Sequence, residues 1–414
     1  MHSNGVTVLG FFLVYTLLLG YLRSTCWRDP TSVFYRAHSA HNPAYSTYRI
    51  QQAAEYAESM SNNLVDGELR RQRNRTHPPE LCIGVPTVQR RGISYLKSTL
   101  GSLQHSLTPE ERDALYFVVF VAHANQSKHS EYDQPWLVAM ADELPSYYNV
   151  ALAQTMSKQS HEIKSKYDYS IVLEACANTG APYVLMLEDD VVFLDGWWPR
   201  VARALDLAAI QTWEAGYTDF LYLRLFYYEG LLGWNQESWP VYLGSSLAVT
   251  VSILCVLLIT RRYVVASRWY ITRFILGFAV LVAAPLFILL YFASRGNCVT
   301  PRPAGVNLMP DHACCGQGLV FPRSKILNEL LPLFRSNRWS GVPTDSFIEM
   351  HADLTRGLRW ALTPVVMQHV GGQSSHGVVG SGDLATPKDI LWNFGFEENN
   401  PAYLADERSQ MSDD

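Results

Sequence analysis

Three adjacent carboxylates, Glu188, Asp189 and Asp190, interrupt an apolar stretch of the sequence. Residues 183–187 are typical of a buried strand, and apolar residues resume at position 191. A solvated turn is one explanation, because Asp side chains bond to the backbone of turns. However, acids with apolar sequence on both sides are costly to desolvate without a charge partner. Mg²⁺ or Mn²⁺ is such a partner, since it binds carboxylates together with substrate phosphates, and we therefore predict a metal–phosphate site.

Strands and helices alternate around these acids. The patterns predict strands over 81–88, 114–123 and 182–190 and helices over 92–103, 170–180 and 197–210. The stretches 104–113 and 151–168 are predicted to be loops or short helices. This alternation indicates an α/β fold with a mostly parallel sheet, in which ligands bind beyond the carboxyl ends of the strands. Pro86-Thr87 and the acid triplet both lie at such ends.

Three uncharged apolar segments are long enough to cross a membrane: 6–22, 241–260 and 274–293. The first segment is either a cleaved signal peptide or a retained anchor. No small-x-small cleavage site follows it, which favours the retained anchor. The short linker 261–273 carries four arginines, so the positive-inside rule predicts that it is cytosolic. The residues on either side of this hairpin are then lumenal.

The resulting organisation places a membrane hairpin inside the lumenal part of the chain. We predict one α/β domain in two parts, 80–240 and 294–400. The remaining segments are a cytosolic tail 1–5, the anchor 6–22, a stem 23–79 and a flexible tail 401–414. N-glycosylation sequons at Asn74 and Asn125 fall on the predicted lumenal side.

The composition excludes some functions. A net charge of −5 gives no basic surface for nucleic acid. No apolar segment carries an intramembrane charge, which argues against a transporter or channel. Seven cysteines are too few for a disulfide scaffold. Their connectivity is left open: Cys82 with Cys176 is one possible pair in an oxidising lumen, and Cys298 is another possible partner.

Two stretches carry a family resemblance. "GVPTVQRRGISYLKSTLGSL" and "KSKYDYSIVLEACANTGAPYVLMLEDD" resemble the GT-A glycosyltransferases of the N-acetylglucosaminyltransferase IV type. The membrane hairpin narrows the resemblance to the Golgi post-GPI-attachment GalNAc-transferases. The resemblance covers about residues 80 to 395. It implies a Rossmann-like mixed sheet, UDP-GalNAc as donor, a GPI-anchored protein glycan as acceptor, and Mn²⁺ (or Mg²⁺) as cofactor.

The resemblance also assigns roles to the metal and donor residues. Asp190 would bind the metal with His369, while Glu188 and Asp189 would contact ribose or metal-bound water, and Glu188 is also a metal candidate. An ordinary loop histidine is the alternative for His369. The remaining donor-binding residues implied are Val85, Pro86, Thr87, Arg90, Lys164 and Asp168.

The acceptor side is assigned in the same way. Asp345 would be the catalytic base of an inverting transfer, with helix capping as the alternative explanation and Glu349 as the reserve base. Gly316, Gln317 and Gly318 would form the acceptor and donor loop, because glycines let the backbone approach a sugar. We expect the hairpin to hold this site near the membrane, where a lipid-anchored acceptor lies. There are two alternatives. The chain is a glycosyltransferase that uses another UDP-sugar and modifies another membrane-proximal glycan, or it is a non-catalytic membrane scaffold.

Overall fold

The computed structural model describes residues 2–65, 77–90, 92–294, 299, 301–309, 315–336, 341–372 and 391–413. The chain forms two compact units. The larger comprises residues 42–228 and 303–414, and the smaller comprises 1–41 and 229–302. The larger unit is therefore discontinuous in sequence, and it begins at residue 42.

A mixed seven-stranded sheet is the centre of the larger unit. Its strand order is β2-β1-β3-β7-β5-β8-β6, and a separate two-stranded sheet pairs β4 with β9. Strands β2, β1 and β3 are parallel, and β7 is antiparallel to both β3 and β5. The bounds are β1 Leu81–Thr87, β2 Leu115–Val121, β3 Tyr183–Leu187, β4 Val191–Phe193, β5 Tyr222–Arg224, β6 Gly305–Leu308, β7 Gly318–Pro322, β8 Arg359–Thr363 and β9 Met367–His369.

Helices cover this sheet. Those of the larger unit are α3 Tyr45–Val65, α4 Leu96–Gln104, α5 Pro109–Ala114, α6 Pro135–Met140, α7 Val150–Met156, α8 His161–Asn178, α9 Trp197–Glu214, α13 Arg323–Lys325, α14 Leu331–Arg335, α15 Thr344–Thr355, α16 Phe394–Glu397 and α17 Pro401–Asp413. A π-helical turn, Ile326–Leu330, separates α13 from α14. The smaller unit contains α1 His2–Thr25, α2 Ala37–Ala40, α10 Trp239–Tyr263, α11 Arg273–Phe278 and α12 Ala284–Ser294.

Helix α8 packs directly on β1. A Cβ at Gly84 would lie 2.3 Å from Val172 Cγ1, so only glycine allows this approach. A disulfide between Cys82 and Cys176 joins the same two elements, which confirms one of the pairings left open by the sequence. The helix ends where the sequence predicted, because Gly180 adopts the left-handed conformation (φ +83°) just beyond it. This packing fixes the face of α8 that approaches the carboxyl edge of the sheet.

The smaller unit contains the three apolar helical spans, Asn4–Arg28, Trp239–Tyr263 and Arg273–Ser294. They agree with the three predicted membrane segments. Within this unit Phe11 packs edge-on against both Phe278 and Phe287. A π-helical turn, Ala279–Ala283, joins α11 to α12 into one span.

Three parts of the larger unit differ from the sequence-based expectation. Helix α3 lies in the predicted stem, yet its buried Arg49 donates to the carbonyls of Phe193 and Ser102. Helix α8 begins at His161, within a stretch predicted to be loops or short helices. The predicted flexible tail forms α17, and Arg408 on it pairs with Glu111. In the first and last cases, contacts with distant residues stabilise helices whose composition is polar.

Candidate functional site

The acid triplet lies between the two sheets. Strand β3 ends at Leu187, and β4 begins at Val191. In the pairing of β4 with β9, Val191 lies opposite His369. The next residue, Val370, donates its backbone N–H to the Asp190 carbonyl at 2.9 Å. The apolar run therefore resumes after the acids because the chain enters a second sheet, and that sheet brings His369 to the triplet.

The structure brings three of the predicted metal residues together. One ligand atom from each of Glu188, Asp190 and His369 lies within 4.8 Å of the other two. His369 Nε2 is 3.5 Å from Asp190 Oδ2. Asp190 is buried, and its Oδ1 has no hydrogen-bond partner within the described ranges. A buried carboxylate oxygen that lacks a hydrogen-bond partner favours binding of a cation.

The pKa shifts reflect crowded charges. Burial, followed by the charge of Asp190, raises the pKa of Glu188 to about 8. Burial opposes ionisation of Asp190 as well, but His369 and Arg90 outweigh it and lower the Asp190 pKa. Burial lowers the pKa of His369, whereas the Asp190 carboxylate raises it, with a net increase. A divalent cation would relieve the repulsion between Glu188 and Asp190.

The residues fit Mn²⁺ or Mg²⁺. Two carboxylates and one imidazole are ligands that Mn²⁺ accepts, and the unpaired Asp190 oxygen leaves a coordination position for it. Gly371 leaves this space open, since a Cβ there would lie 2.2 Å from Asp190 Oδ2 and 3.0 Å from His369 Nε2. Sequence analysis did not identify Gly371, although it lies two positions after the predicted histidine.

Arg90 and Thr87 lie on the other side of the triplet. Arg90 forms ion pairs with Asp189 Oδ1 at 2.7 Å and with Asp190 Oδ2 at 3.1 Å. Thr87 Oγ1 donates to Asp189 Oδ2 at 2.5 Å. Burial raises the pKa of Asp189, and Arg90 opposes that effect. The predicted donor residues at the end of β1 are thus arranged around the acids.

Two neighbouring side chains at this edge were not identified from the sequence. His129 is buried with Nε2 3.4 Å from Thr87 Oγ1, and burial lowers its pKa to about 4. The Tyr95 hydroxyl accepts the backbone N–H of Gly372 at 3.0 Å, and the Arg90 guanidinium lies over the Tyr95 ring. Tyr95 thereby connects the chain after β9 to the arginine that pairs with the triplet. Single-sequence patterns do not mark such long-range contacts.

The other predicted donor residues differ in exposure. Val85 is fully buried in β1, and Pro86 is half-buried. Their contact with the nucleotide stays a prediction. Lys164 and Asp168 form an ion pair at 2.5 Å on α8. Lys164 also donates to the Ala122 carbonyl just beyond β2. Both lie at the carboxyl edge, and their nucleotide role stays a prediction.

The predicted acceptor loop lies between Glu188 and Asp345. The Glu188 backbone N–H donates to the Gln317 carbonyl at 3.1 Å, and Gly318 pairs with Leu187 in the sheet. A Cβ at Gly316 would lie 3.3 Å from the Cβ of Asp345 and 3.8 Å from Glu188 Oε1. Asp345 is half-buried in the first turn of α15, whose N-cap residue is Pro343, and its Oδ1 accepts the backbone N–H of Ser346 at 2.7 Å.

Glu349 is held in a buried charge network. Arg224 contacts its Oε1 at 2.6 Å, and Arg359 contacts its Oε2 at 3.0 Å. The Tyr222 hydroxyl also donates to Oε1 at 2.5 Å. Because both oxygens are engaged by cations, Glu349 is poorly suited to accept a proton from an acceptor. The geometry therefore favours Asp345 over Glu349 as the base.

The two predicted sequons differ in what the structure describes. Asn125 is exposed and caps a short 3₁₀ turn, Gln126–Lys128, by accepting the Ser127 N–H. Asn74 lies outside the described residues. The accessible position of Asn125 is compatible with a glycan, whose attachment stays a prediction.

Comparison with known proteins identifies the relatives of the chain. The family model described as GPI-N-acetylgalactosamine transferase PGAP4 matches residues 81–368. The matched range includes β1, the triplet, the apolar helices α10 to α12 and Asp345.

Curated relatives share part of this range. The Mus musculus protein named alpha-1,3-mannosyl-glycoprotein 4-beta-N-acetylglucosaminyltransferase-like protein MGAT4D is 24% identical over 36% of this chain and 48% of its own length. The Xenopus tropicalis alpha-1,3-mannosyl-glycoprotein 4-beta-N-acetylglucosaminyltransferase A is 28% identical over 31% of this chain and 27% of its own. The Danio rerio alpha-1,3-mannosyl-glycoprotein 4-beta-N-acetylglucosaminyltransferase B is 29% identical over 27% of this chain and 23% of its own length. The chain spans about half or less of the length of these relatives.

Proposed function

The chain belongs to the GPI-N-acetylgalactosamine transferase PGAP4 family, and from this premise we propose that it transfers GalNAc from UDP-GalNAc to the mannose core of GPI anchors. Family membership and the glycosyltransferase relatives make it a GPI-related glycosyltransferase. The proposal adds the donor, a GT-A type of fold, Mn²⁺ dependence and a lumenal catalytic domain in the Golgi membrane. The alternative donors are other UDP-sugars.

One observation carries the proposal: Glu188, Asp190 and His369 converge at the carboxyl edge of the sheet. Mn²⁺ or Mg²⁺ held there would offset the diphosphate charge and stabilise the departing UDP. Arg90, which already contacts two acids of the triplet, supplies a positive charge for the same phosphates. Thr87 orients Asp189 through its hydroxyl.

Asp345 performs the proton transfer in this proposal. Its carboxylate accepts the proton of the acceptor mannose hydroxyl as the new C–O bond forms and the bond to UDP breaks. A single base on the face opposite the leaving group gives inversion at the anomeric carbon. The Gly316–Gly318 loop, next to both Glu188 and Asp345, supports a sugar between them.

The test uses the full-length chain purified in detergent. Transfer from labelled UDP-GalNAc to a GPI-anchored acceptor is measured with Mn²⁺, after EDTA, and after Mn²⁺ is restored. We expect Asp190→Asn to abolish transfer and Mn²⁺-dependent UDP binding, because the metal loses a charged ligand. Asp133→Asn changes an exposed acid and is the matched control.

The outcomes separate the alternatives. Transfer from a different UDP-sugar alone would retain the glycosyltransferase and overturn the donor. The N-acetylglucosaminyltransferase relatives make UDP-GlcNAc the first comparison. Absence of turnover and of UDP–Mn²⁺ binding in the unmodified protein would favour the non-catalytic scaffold.

A further inference from the structure

The hydroxyl of Tyr169 is a buried polar group whose role is unexplained by the fold. Across the ranges that the structure describes, it has no hydrogen-bond partner. The ring packs against Phe334 at 5.4 Å, and Phe334 packs against Phe347 on α15. Burying a hydroxyl without a partner costs stability, so the group is expected to gain a partner when the protein functions.

The turn of α8 that precedes Tyr169 contacts the residue before the predicted base. Ser165, one turn earlier on the same face of α8, has its Oγ 2.9 Å from Thr344 Oγ1. Thr344 immediately precedes Asp345. Burial, followed by the negative charges of Glu188 and Asp345, raises the pKa of Tyr169 well above its usual range. The phenol therefore stays protonated and acts as a hydrogen-bond donor near both carboxylates.

A second unpaired polar atom supports a ligand in the same place. Gln317 is buried, and its side-chain oxygen also lacks a partner among the described residues. Its Nε2 donates to Glu188 Oε2 at 3.4 Å. The Gln317 side chain contacts Glu188, and the Tyr169 hydroxyl is near enough to Glu188 for its charge to raise the Tyr169 pKa. Sugar hydroxyls can satisfy both, because each donates and accepts.

We infer that the Tyr169 hydroxyl is a sugar-contacting group that donates a hydrogen bond to a sugar oxygen held between Glu188 and Asp345. This inference rests on the proposed function and assigns a role to a residue to which the sequence analysis gave none. The oxygen belongs either to the transferred sugar or to the acceptor mannose. The shared chemistry is a neutral sugar hydroxyl in a site that excludes water.

The experiment compares Tyr169→Phe with Tyr148→Phe in the full-length chain. The Tyr148 hydroxyl donates to Glu174, on an exposed part of the same helix, so the control also loses one phenol next to α8. For Tyr169→Phe we expect kcat/KM of transfer to fall about tenfold, as for one lost hydrogen bond in a dry site. Its thermal midpoint should stay equal or rise, because an unpaired buried hydroxyl has been removed. The control should keep wild-type transfer.

Two further assays locate the sugar. If the contact is to the transferred sugar, hydrolysis of UDP-GalNAc without acceptor falls with transfer. If it is to the acceptor, hydrolysis is unchanged and only acceptor-dependent turnover falls. Wild-type transfer by Tyr169→Phe, or activity lost together with a lowered midpoint, would overturn the inference while the proposed function stands. An inactive unmodified protein would overturn the proposed function, and this inference with it.

Discussion

Two consecutive glycines after β9 have very different surroundings. A Cβ at Gly371 would clash with Asp190 and His369, whereas one at Gly372 would meet, among the described residues, only the Tyr95 hydroxyl at 3.8 Å. We expect Gly371→Ala to weaken Mn²⁺-dependent UDP binding by about tenfold or more, a typical effect of displacing metal ligands. Gly372→Ala should stay within about twofold. Calorimetric titration with UDP and Mn²⁺ tests both, and equal affinities for the two variants would contradict the open metal position.

His129 gives stability a pH dependence. Its pKa in the folded protein is about 4, because burial, His123 and Arg90 all disfavour the cation. The unfolded chain, with a usual His pKa of about 6.5, therefore binds more protons between these values, and stability falls as pH decreases from about 6.5 to about 4. We expect His129→Gln to reduce this slope in thermal unfolding measured from pH 7.5 to 4.5. The same slope in the variant and the wild type would assign the effect to other groups.

For single residues, the sequence indicates which side chains could bind a metal better than it indicates which side chains meet in the folded protein. Glu188 and Asp190 were predicted because acids between two apolar runs are costly to desolvate without a charge partner. Confirming that His369 joins them required the pairing of β4 with β9, a long-range register. Tyr169 lies between the predicted helix 170–180 and the stretch 151–168, and it was given no role, since an unpaired hydroxyl is a property of the folded surroundings.

Strands β1 to β3 were predicted from the sequence, whereas β5 to β8 of the same sheet were not. Strands β1 to β3 are short apolar runs, so their composition reveals them. Helix α17 is polar, and its charged side chains, Arg408 with Glu111 and Glu407 with Arg200, pair with distant residues. Such tertiary contacts override composition, and a prediction from local sequence cannot include them.

Two acidic residues of α15, one buried and one partly exposed, are expected to contribute differently to stability. Glu349 contacts Arg224 and Arg359 inside the protein, whereas Asp353, one turn later, contacts Arg359 from a partly exposed position. We expect Glu349→Gln to lower the free energy of unfolding by about 3–5 kcal/mol, because it leaves buried cations uncompensated. Asp353→Asn should cost about 1 kcal/mol or less.

Chemical denaturation of the two variants tests this difference. Arg224 also donates to the Cys315 carbonyl, so the network joins β5, α15 and the start of the acceptor loop. Transfer by Glu349→Gln should therefore fall with stability, while its optimum pH stays unchanged. A shifted pH optimum with normal stability would instead indicate that Glu349 is the base.

For the whole molecule, the sheet order constrains the membrane topology. Strands β3 and β5 precede the apolar helices α10 to α12, and β7 and β8 follow them. Yet β7 pairs with both β3 and β5, and β8 pairs with β5. Strands from both sides of the hairpin can share one sheet only on one side of a membrane. The two spans that separate them must therefore cross and return.

A glycosylation scan tests this topology. In a background with Asn74→Gln and Asn125→Gln, the exposed Gln410 is changed to Asn, which completes a sequon with Ser412 beyond the hairpin. Because one sheet contains both parts of the domain, we expect a glycosidase-sensitive form to reappear on electrophoresis, as it does when Asn125 alone is restored. Glycosylation at Asn125 without glycosylation of the Gln410→Asn protein would place the two parts on opposite sides, which the paired strands do not permit. A Gln410→Ser variant, which completes no sequon, controls for altered mobility.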